Sequence, residues 1–215
     1  MNKTGFDYLT ESGVKIIQST DGYKFTSDAV ALAKFANCKK GDVVIDAGCG
    51  GGVISLIIND KCKPGKIIAI DINPNAIILT TKNAELNSIT NVEVHNADIR
   101  EFYKTHGVNI ADVIVCNPPY FSNGRRSTNK TRDQSRHDDT LSLDDLTGAA
   151  ARLLKYGGAL YLCYPARFLS RAIYVLEGKN FRTKNIKFLA NNKGIYLALI
   201  HAKKGGGDGM TVTMN

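Results

Sequence analysis

Between Asp112 and Tyr120 the chain specifies a strand and then forbids it to continue. Val113-Ile114-Val115-Cys116 is a short apolar, β-branched run, the pattern of a strand buried on both faces. Asn117-Pro118-Pro119-Tyr120 follows it directly. Two successive prolines remove two backbone donors and restrict the residue before each, so neither a sheet nor a helix passes through them. What remains is a stiff corner at a strand's C-terminal end, with an amide side chain on one flank and a phenol on the other. Open α/β sheets bind their ligands at that edge. An amide oxygen, an outward proline carbonyl and an aromatic face suit a planar ring with an exocyclic NH2. Asn-Pro is also an ordinary turn signal, so the neighbours decide what the corner is for.

Three earlier segments share its form. Val43-Val44-Ile45-Asp46-Ala47 reads as a buried strand and runs into Gly48-Cys49-Gly50-Gly51-Gly52. Glycines let the backbone turn sharply and let a ligand approach it closely. The spacing is Gly-x-Gly-x-Gly with Val at position 53, so the dinucleotide fingerprint Gly-x-Gly-x-x-Gly is not met. Val53 to Ile58 has the local propensity of a strand, and only its place after the glycines predicts a helix. Lys66-Ile67-Ile68-Ala69-Ile70-Asp71 is the next strand, and Asn73-Pro74 opens a helix with Asn as cap and Pro at its first position. Asp71 lies roughly 20 residues beyond the glycines, where an acid can accept both ribose hydroxyls of an adenosyl ligand; it reads equally as a strand-end or capping residue. Val92-Glu93-Val94-His95 gives a third strand, followed by Asn96-Ala97-Asp98. Three strands thus end near a carboxylate and the fourth at Asn117, and in a doubly wound sheet all four ends share one edge.

Elsewhere, residues 14–18 read as an early strand, and Thr26 or Ser27 caps a helix over Ala29 to Ala36 with Asp28 in its first turn. Residues 121–140 are polar and basic with little core-forming periodicity, and a loop of that length in a compact domain is functional or disordered. Ser142-Leu143-Asp144-Asp145 opens a helix with a capping-box pattern, ended by Gly157-Gly158; Ala159 to Tyr164 is a fifth strand. Pro165 starts another helix, with Leu169, Ala172, Ile173 and Leu176 inward and Arg167 and Arg171 one turn apart outward. Strands Phe181–Ala190 and Ile195–Ala202 form an antiparallel hairpin through Asn191-Asn192-Lys193-Gly194. The glycine-rich stretch from Gly205 reads as a flexible tail.

Charge enters the argument because it is uneven. The net charge is +8, yet Arg152 to Lys204 holds eleven basic residues and one acid, Glu177. The loop after the prolines adds Arg125, Arg126, Lys130, Arg132 and Arg136 around a single acid, Asp133. Surplus lysine often only solubilises a protein, and an acidic membrane surface competes as a partner; a basic tract beside the corner tilts the reading towards nucleic acid. No apolar run approaches a membrane span, and Met1-Asn2-Lys3-Thr4-Gly5 leads into polar sequence without a secretory signal. The five cysteines form no Cys-x-x-Cys pair and read as buried thiols of a reducing cytoplasm, not as metal ligands or disulfides.

Asn-Pro-Pro-Tyr resembles the active-site motif of methyltransferases that act on amino groups conjugated to a π system, and Asp46 ahead of the glycines matches S-adenosylmethionine enzymes. The order of glycine loop, acid, acid, Asn-Pro-Pro-Tyr and terminal hairpin is similar to class I S-adenosylmethionine-dependent methyltransferases. Four pieces narrow it: Gly22-Tyr23-Lys24-Phe25-Thr26-Ser27-Asp28-Ala29, Asn117-Pro118-Pro119-Tyr120-Phe121, Ser135-Arg136-His137-Asp138 and Leu160-Tyr161-Leu162-Cys163-Tyr164-Pro165. Together they resemble the bacterial tRNA(Val) adenine-37 N6-methyltransferases over nearly the whole chain. One departure is Asp138, where the family pattern has Glu.

The resemblance implies a Rossmann-like α/β fold: a mostly parallel seven-stranded sheet with helices on both faces and a C-terminal antiparallel hairpin. It implies an N-terminal strand and helix over 1–40 covering the cofactor site, a methyltransferase domain over 41–204 and a flexible tail over 205–215. S-adenosylmethionine would contact Lys24, Phe25, Thr26, Asp46, Gly48, Gly50, Asp71, Ile72, Asp98 and Asn117. Asn117, Pro118 and Tyr120 would be catalytic. Phe121, Arg125, Arg126, Arg136 and His137 would meet tRNA, although His137 by itself reads first as a surface residue packing the loop. The partner would be tRNA in the cytoplasm, with no membrane and no evident obligate protein partner. Rival readings are a protein-glutamine N5-methyltransferase, which shares Asn-Pro-Pro-Tyr but usually carries a helical domain ahead of the glycine loop, a DNA adenine methyltransferase, which would carry a larger target-recognition insertion, and a non-catalytic RNA-binding module.

Overall fold

A computed structural model describes residues 6–18, 25–118 and 141–214. Its elements in chain order are β1 (Asp7–Tyr8), β2 (Lys15–Ile16), α1 (Ser27–Phe35), β3 (Val43–Ala47), α2 (Val53–Cys62), β4 (Lys66–Asp71), α3 (Pro74–Leu86), β5 (Val92–Asn96), α4 (Ile99–His106), β6 (Ala111–Cys116), α5 (Leu143–Leu153), β7 (Leu154–Pro165), a 3-10 turn (Ala166–Phe168), α6 (Leu169–Gly178), β8 (Phe181–Asn191), β9 (Gly194–Lys204) and β10 (Thr211–Met214).

The large sheet has the order β10-β8-β9-β7-β6-β3-β4-β5. Strands β5, β4, β3, β6 and β7 are parallel, and β9 runs against both β7 and β8. The chain leaves β3 towards β4 and β5 in one direction and returns through β6 and β7 in the other. The topological switch point, where open α/β sheets bind ligands, therefore lies between β3 and β6. That is where the glycine loop and Asn117 emerge.

Val43 to Ala47 and Ala111 to Cys116 are nearly continuous apolar runs because both sheet faces are covered. On one face Ile45, Ile114, Leu160 and Ile200 pack with Phe102 of α4, Leu146 and Leu153 of α5 and Leu176 of α6. On the other, Val44, Val115 and Leu199 pack with Leu32 of α1 and Leu56 and Ile57 of α2. α2 is buried along nearly its whole first half, Val53 to Ile58. Tertiary context overrides the β-propensity of that stretch, so the predicted helix forms.

Several expectations need correction. The sheet has eight strands, not seven, because Thr211–Met214 of the supposed flexible tail pairs in parallel with Asn185–Phe188. The alternating Thr-Val-Thr-Met suits an edge strand, and β8 offers it an unpaired ladder. Gly157-Gly158 does not end α5. The helix stops at Leu153, and both glycines lie within β7, between the Ala111–Leu154 and Val113–Ala159 pairs, where the register shifts. Gly157 has φ +78°, and a Cβ on Gly158 would stand 2.9 Å from the Lys155 carbonyl and 3.1 Å from that of Asp112. Only glycine accommodates both demands of this bulge. Pro165 closes β7 and does not open the next helix, which begins at Leu169 after the 3-10 turn. The early strand shrinks to Lys15–Ile16. α4, which the sequence reading omitted, is capped by Asp98 and buries Ile99 and Phe102.

Candidate active site

The glycine loop carries three left-handed residues in five: Gly48 at φ +73°, Gly50 at +55° and Gly52 at +80°. This winding turns main-chain donors back onto the neighbouring strand. The Gly48 and Cys49 amides donate to the Ile70 carbonyl at 2.8 and 3.0 Å, and the Gly50 amide donates to Asp71 Oδ2 at 2.9 Å. A Cβ on Gly48 would meet nothing within 4 Å, so that glycine faces open space; one on Gly52 would stand 3.0 Å from Thr80. The first is needed for conformation and the second also for close packing on α3.

The open space is a cavity of about 380 Å³ at the sheet's C-terminal edge. Ala47 to Gly51 form one side, with Asp71 and Ile72 from the end of β4 and Asp98, Ile99 and Arg100 from the start of α4. Asn117 and Pro118 close it from β6, while Ile16, Ile17, Gln18, Phe25 and Thr26 wall it from the N-terminal segment. Of the predicted site residues, the structure thus brings together Phe25, Thr26, Gly48, Gly50, Asp71, Ile72, Asp98, Asn117 and Pro118. Lys24, Tyr120, Phe121, Arg125, Arg126, Arg136 and His137 lie outside the described residues.

The three acids, alike in the sequence, have three different environments. Asp46 is fully buried and does not line the cavity. Its Oδ2 accepts from the Ser55 amide at 3.0 Å and the Ser55 hydroxyl at 2.6 Å. Ser55 sits in the first turn of α2, whose N-cap, Gly52, has no side chain to offer. Asp46 therefore caps that helix from the adjacent strand, with its charge at the positive end of the dipole. Oδ1 accepts nothing from the described residues. Burial raises the carboxyl to about 6, with Ser55's hydrogen bonds opposing the rise and the Asp71 charge adding to it.

Asp71 stands at the rim, its Oδ2 held by Gly50 and its Oδ1 by the Asn73 amide at 2.9 Å. Both oxygens are fixed by one main-chain donor each, and each has a lone pair to spare for a ligand hydroxyl. Asp98 caps α4 through Oδ1, and its Oδ2 accepts from Arg100 Nε at 2.8 Å and Nη2 at 2.6 Å. Burial would raise its pKa, but the Arg100 guanidinium and amide outweigh that and hold it below the usual carboxylate range.

Two further residues were missed. Asn83 of α3 and Asn87, which caps that helix, each make a two-point amide contact with the N-terminal segment. Asn83 Oδ1 accepts from the Ile17 amide at 2.7 Å and its Nδ2 donates to the Ile17 carbonyl at 3.1 Å. Asn87 does the same with Lys15, at 2.8 and 2.7 Å. Asn83 Nδ2 also donates to the Gly51 carbonyl at 2.9 Å, joining the glycine loop to the segment across from it. The available signal was an amide pair four residues apart in an otherwise apolar-patterned helix.

The model of a methyltransferase-domain family matches residues 38–203, which span the sheet from just before β3 into β9. The tRNA1(Val) (adenine(37)-N6)-methyltransferase of Shewanella sediminis is 30% identical over 80% of this chain and 72% of its own length. That of Phocaeicola vulgatus is 32% identical over 85% of this chain and 72% of its own. The chain belongs to this methyltransferase family. It spans between 61% and 72% of the length of six such relatives. A solved SAM dependent methyltransferase from Aquifex aeolicus superposes with TM-score 0.60 at 17% identity, over 82% of this chain and 89% of that one; at that identity the likeness shows the fold alone. The methyltransferase uses S-adenosylmethionine, and the cavity fits it. A left-handed glycine cradle open on one side, a rim carboxylate with lone pairs to spare and an apolar wall from Ile16, Phe25 and Ile72 are what a nucleoside with a charged tail needs.

Proposed function

We propose that this methyltransferase moves a methyl group from S-adenosylmethionine to the exocyclic N6 of adenine in tRNA, at A37 beside the anticodon of tRNA(Val). One observation carries the reading: Asn117 and Pro118 close the same cavity that the glycine loop opens, from the adjacent strand β6. The relatives' names supply the tRNA, the position and the isoacceptor. The site of action is the cytoplasm, and among the described residues no helix is long and apolar enough to cross a membrane.

Asp71 would hold the ribose hydroxyls of S-adenosylmethionine, the loop at Gly48 and Gly50 its amino-acid tail, and Asp98 with its Arg100 partner its adenine. Phe25, Thr26 and Ile72 complete the enclosure; Lys24, outside the described residues, is a further candidate contact. Asp46 acts at one remove by holding α2 and the loop in place. When bound, S-adenosylmethionine supplies a methyl group made electrophilic by its sulfonium. The Asn117 amide oxygen and the Pro118 carbonyl accept the two N–H bonds of the target amine and draw its nitrogen towards the pyramidal form that attacks. Such contacts accelerate the step only as far as they strengthen in the transition state. The product nitrogen is ammonium-like and strongly acidic, so it loses its proton after transfer without a dedicated base. Tyr120 stacks on the flipped adenine, a contact worth about 1–3 kcal/mol. Phe121, Arg125, Arg126, Arg136 and His137 reach the surrounding RNA.

Incubating the protein with labelled S-adenosylmethionine and separate pools of total tRNA, DNA and protein tests the reading. Label is expected in tRNA as N6-methyladenosine, and an A37→G tRNA(Val) transcript should accept none. Label on protein glutamine would replace this reading with the N5-methyltransferase alternative.

A further inference from the structure

The basic residues of the C-terminal third do not form one surface. Arg182, Lys203 and Lys204 lie where β8 starts and β9 ends, at the sheet edge opposite the cavity, and Lys184 there donates to the Gly207 and Asp208 carbonyls. Arg167 and Arg171 lie just past the C-terminal end of β7, at the sheet edge that also carries the cavity. Cys116 pairs with Leu162, so Asn117 and Pro118 leave β6 only a few residues short of the level at which β7 ends at Pro165. The 3-10 turn and α6 follow at once.

That exit is flanked by two exposed rings. Phe168 is 38% exposed, and the Arg167 guanidinium lies over it, 4.8 Å from the ring centroid. Tyr196 is 39% exposed and precedes Leu197, which pairs with Pro165. Its hydroxyl donates to Asp28 Oδ1 at 2.9 Å, which fixes the ring at the first turn of α1. Arg167, Arg171 and Tyr174 continue as an exposed stripe, spaced by four and three residues, with Tyr174 79% exposed. α6 buries its other face through Ala172, Val175 and Leu176, so the core does not claim these side chains. Glu177 is the one acid beyond Tyr174 on this helix.

We propose that this rim is a stacking platform for the single-stranded nucleotides that flank the target adenine: Phe168 stacks on a neighbouring base, and Arg167 and Arg171 take the phosphates beside it. The inference rests on the tRNA reading above and adds a site to it. Flipping one base out of a loop leaves its neighbours' faces unstacked, and aromatic rings interleaved with guanidinium groups recover that loss without reading sequence. Arginine suits the position because its planar cation both stacks and binds phosphate. The rim gives the RNA strand a second hold on the side of Asn117 that leads to β7, independent of the cradle beneath β3.

The test measures tRNA(Val) affinity over a salt series in the presence of S-adenosylhomocysteine. Phe168→Ala should raise the tRNA dissociation constant about 5- to 150-fold, the range of one stacked base, with the salt slope unchanged. Phe168→Tyr should restore affinity. Arg167→Ala should reduce the magnitude of the slope by roughly 0.7, one single-strand phosphate. S-adenosylhomocysteine affinity, read by calorimetry, should stay constant in all three, which separates this surface from the cofactor site. A Phe168→Ala protein that binds tRNA like the parent overturns the platform while leaving methylation of tRNA intact. A parent protein that puts no label into tRNA overturns the functional reading and the platform with it.

Discussion

The two halves of the cavity are built in opposite ways. On the β3–β4 side the elements are tied to one another by internal hydrogen bonds: Gly48 and Cys49 on Ile70, Gly50 on Asp71, Asp46 through Oδ2 on Ser55, Asn83 on Gly51. On the β6–β7 side the described corner is short and gives way to exposed rings and guanidinium groups. A small donor molecule is gripped in one fixed pose by preorganised dipoles, which cost no reorganisation at the moment of reaction. A large polyanion needs area and charge, and those are cheapest on an open surface. The asymmetry separates holding the methyl donor from recruiting what is methylated.

The sharpest way to break this division is Asn117→Ala. It should lower single-turnover methyl transfer roughly 100- to 1,000-fold, the effect of losing one preorganised hydrogen-bonding group, while cofactor affinity by calorimetry barely changes. A rate within a few-fold of the parent would mean that Asn117 only shapes the corner.

Asp46→Asn probes the buried half without touching the cavity. Between pH 4 and about 6 the folded protein keeps a proton on Asp46 that the unfolded chain has released, so stability falls as pH rises through that window. The ionised form above about pH 6 then carries a penalty of ~3 kcal/mol. The variant should flatten this part of the stability curve in denaturant melts at several pH values. An unchanged slope would show that Oδ1 finds compensation elsewhere.

Asp71→Ala should weaken S-adenosylmethionine binding about 10- to 100-fold, from the loss of ~1.5–3 kcal/mol of charge-assisted hydrogen bonding. tRNA affinity should hold, and a parallel loss of both would join the two halves that the structure separates.

Asn83→Ala is the mildest: about 1–2 kcal/mol of stability from broken amide pairs, seen in denaturant melts, with cofactor affinity reduced because Ile17 and Gly51 lose their common tie. Restoration by Asn83→Gln would argue against so exact a geometry.

Most of the architecture was legible in the sequence. Parallel strands announced themselves as β-branched runs, and Asn73-Pro74 and Ser142 to Asp145 form the caps their types predict. What escaped was whatever depends on a partner distant in sequence. Gly157-Gly158 reads as a helix stop because local pattern does not reveal that Asp112 comes close to it across the sheet. Asp46, Asp71 and Asp98 each fall at or just past the end of a strand, but only the fold shows that one caps α2, one stands at the rim and one is clamped by Arg100. Thr211–Met214 became a strand because β8 left an edge for it.

The Asn83–Asn87 contact has a consequence of its own. A carboxamide can set one donor beside an acceptor, as the edge of an extended residue does, so these two side chains stand in for a strand to Lys15 and Ile17. Four helical residues advance about 6.0 Å and two extended residues about 6.6 Å. The two rulers agree for two rungs and drift with each one added, like the scales of a vernier. Such an attachment cannot lengthen into a ladder. It stays a latch of two clasps that fixes one register, on a wall of the cavity itself.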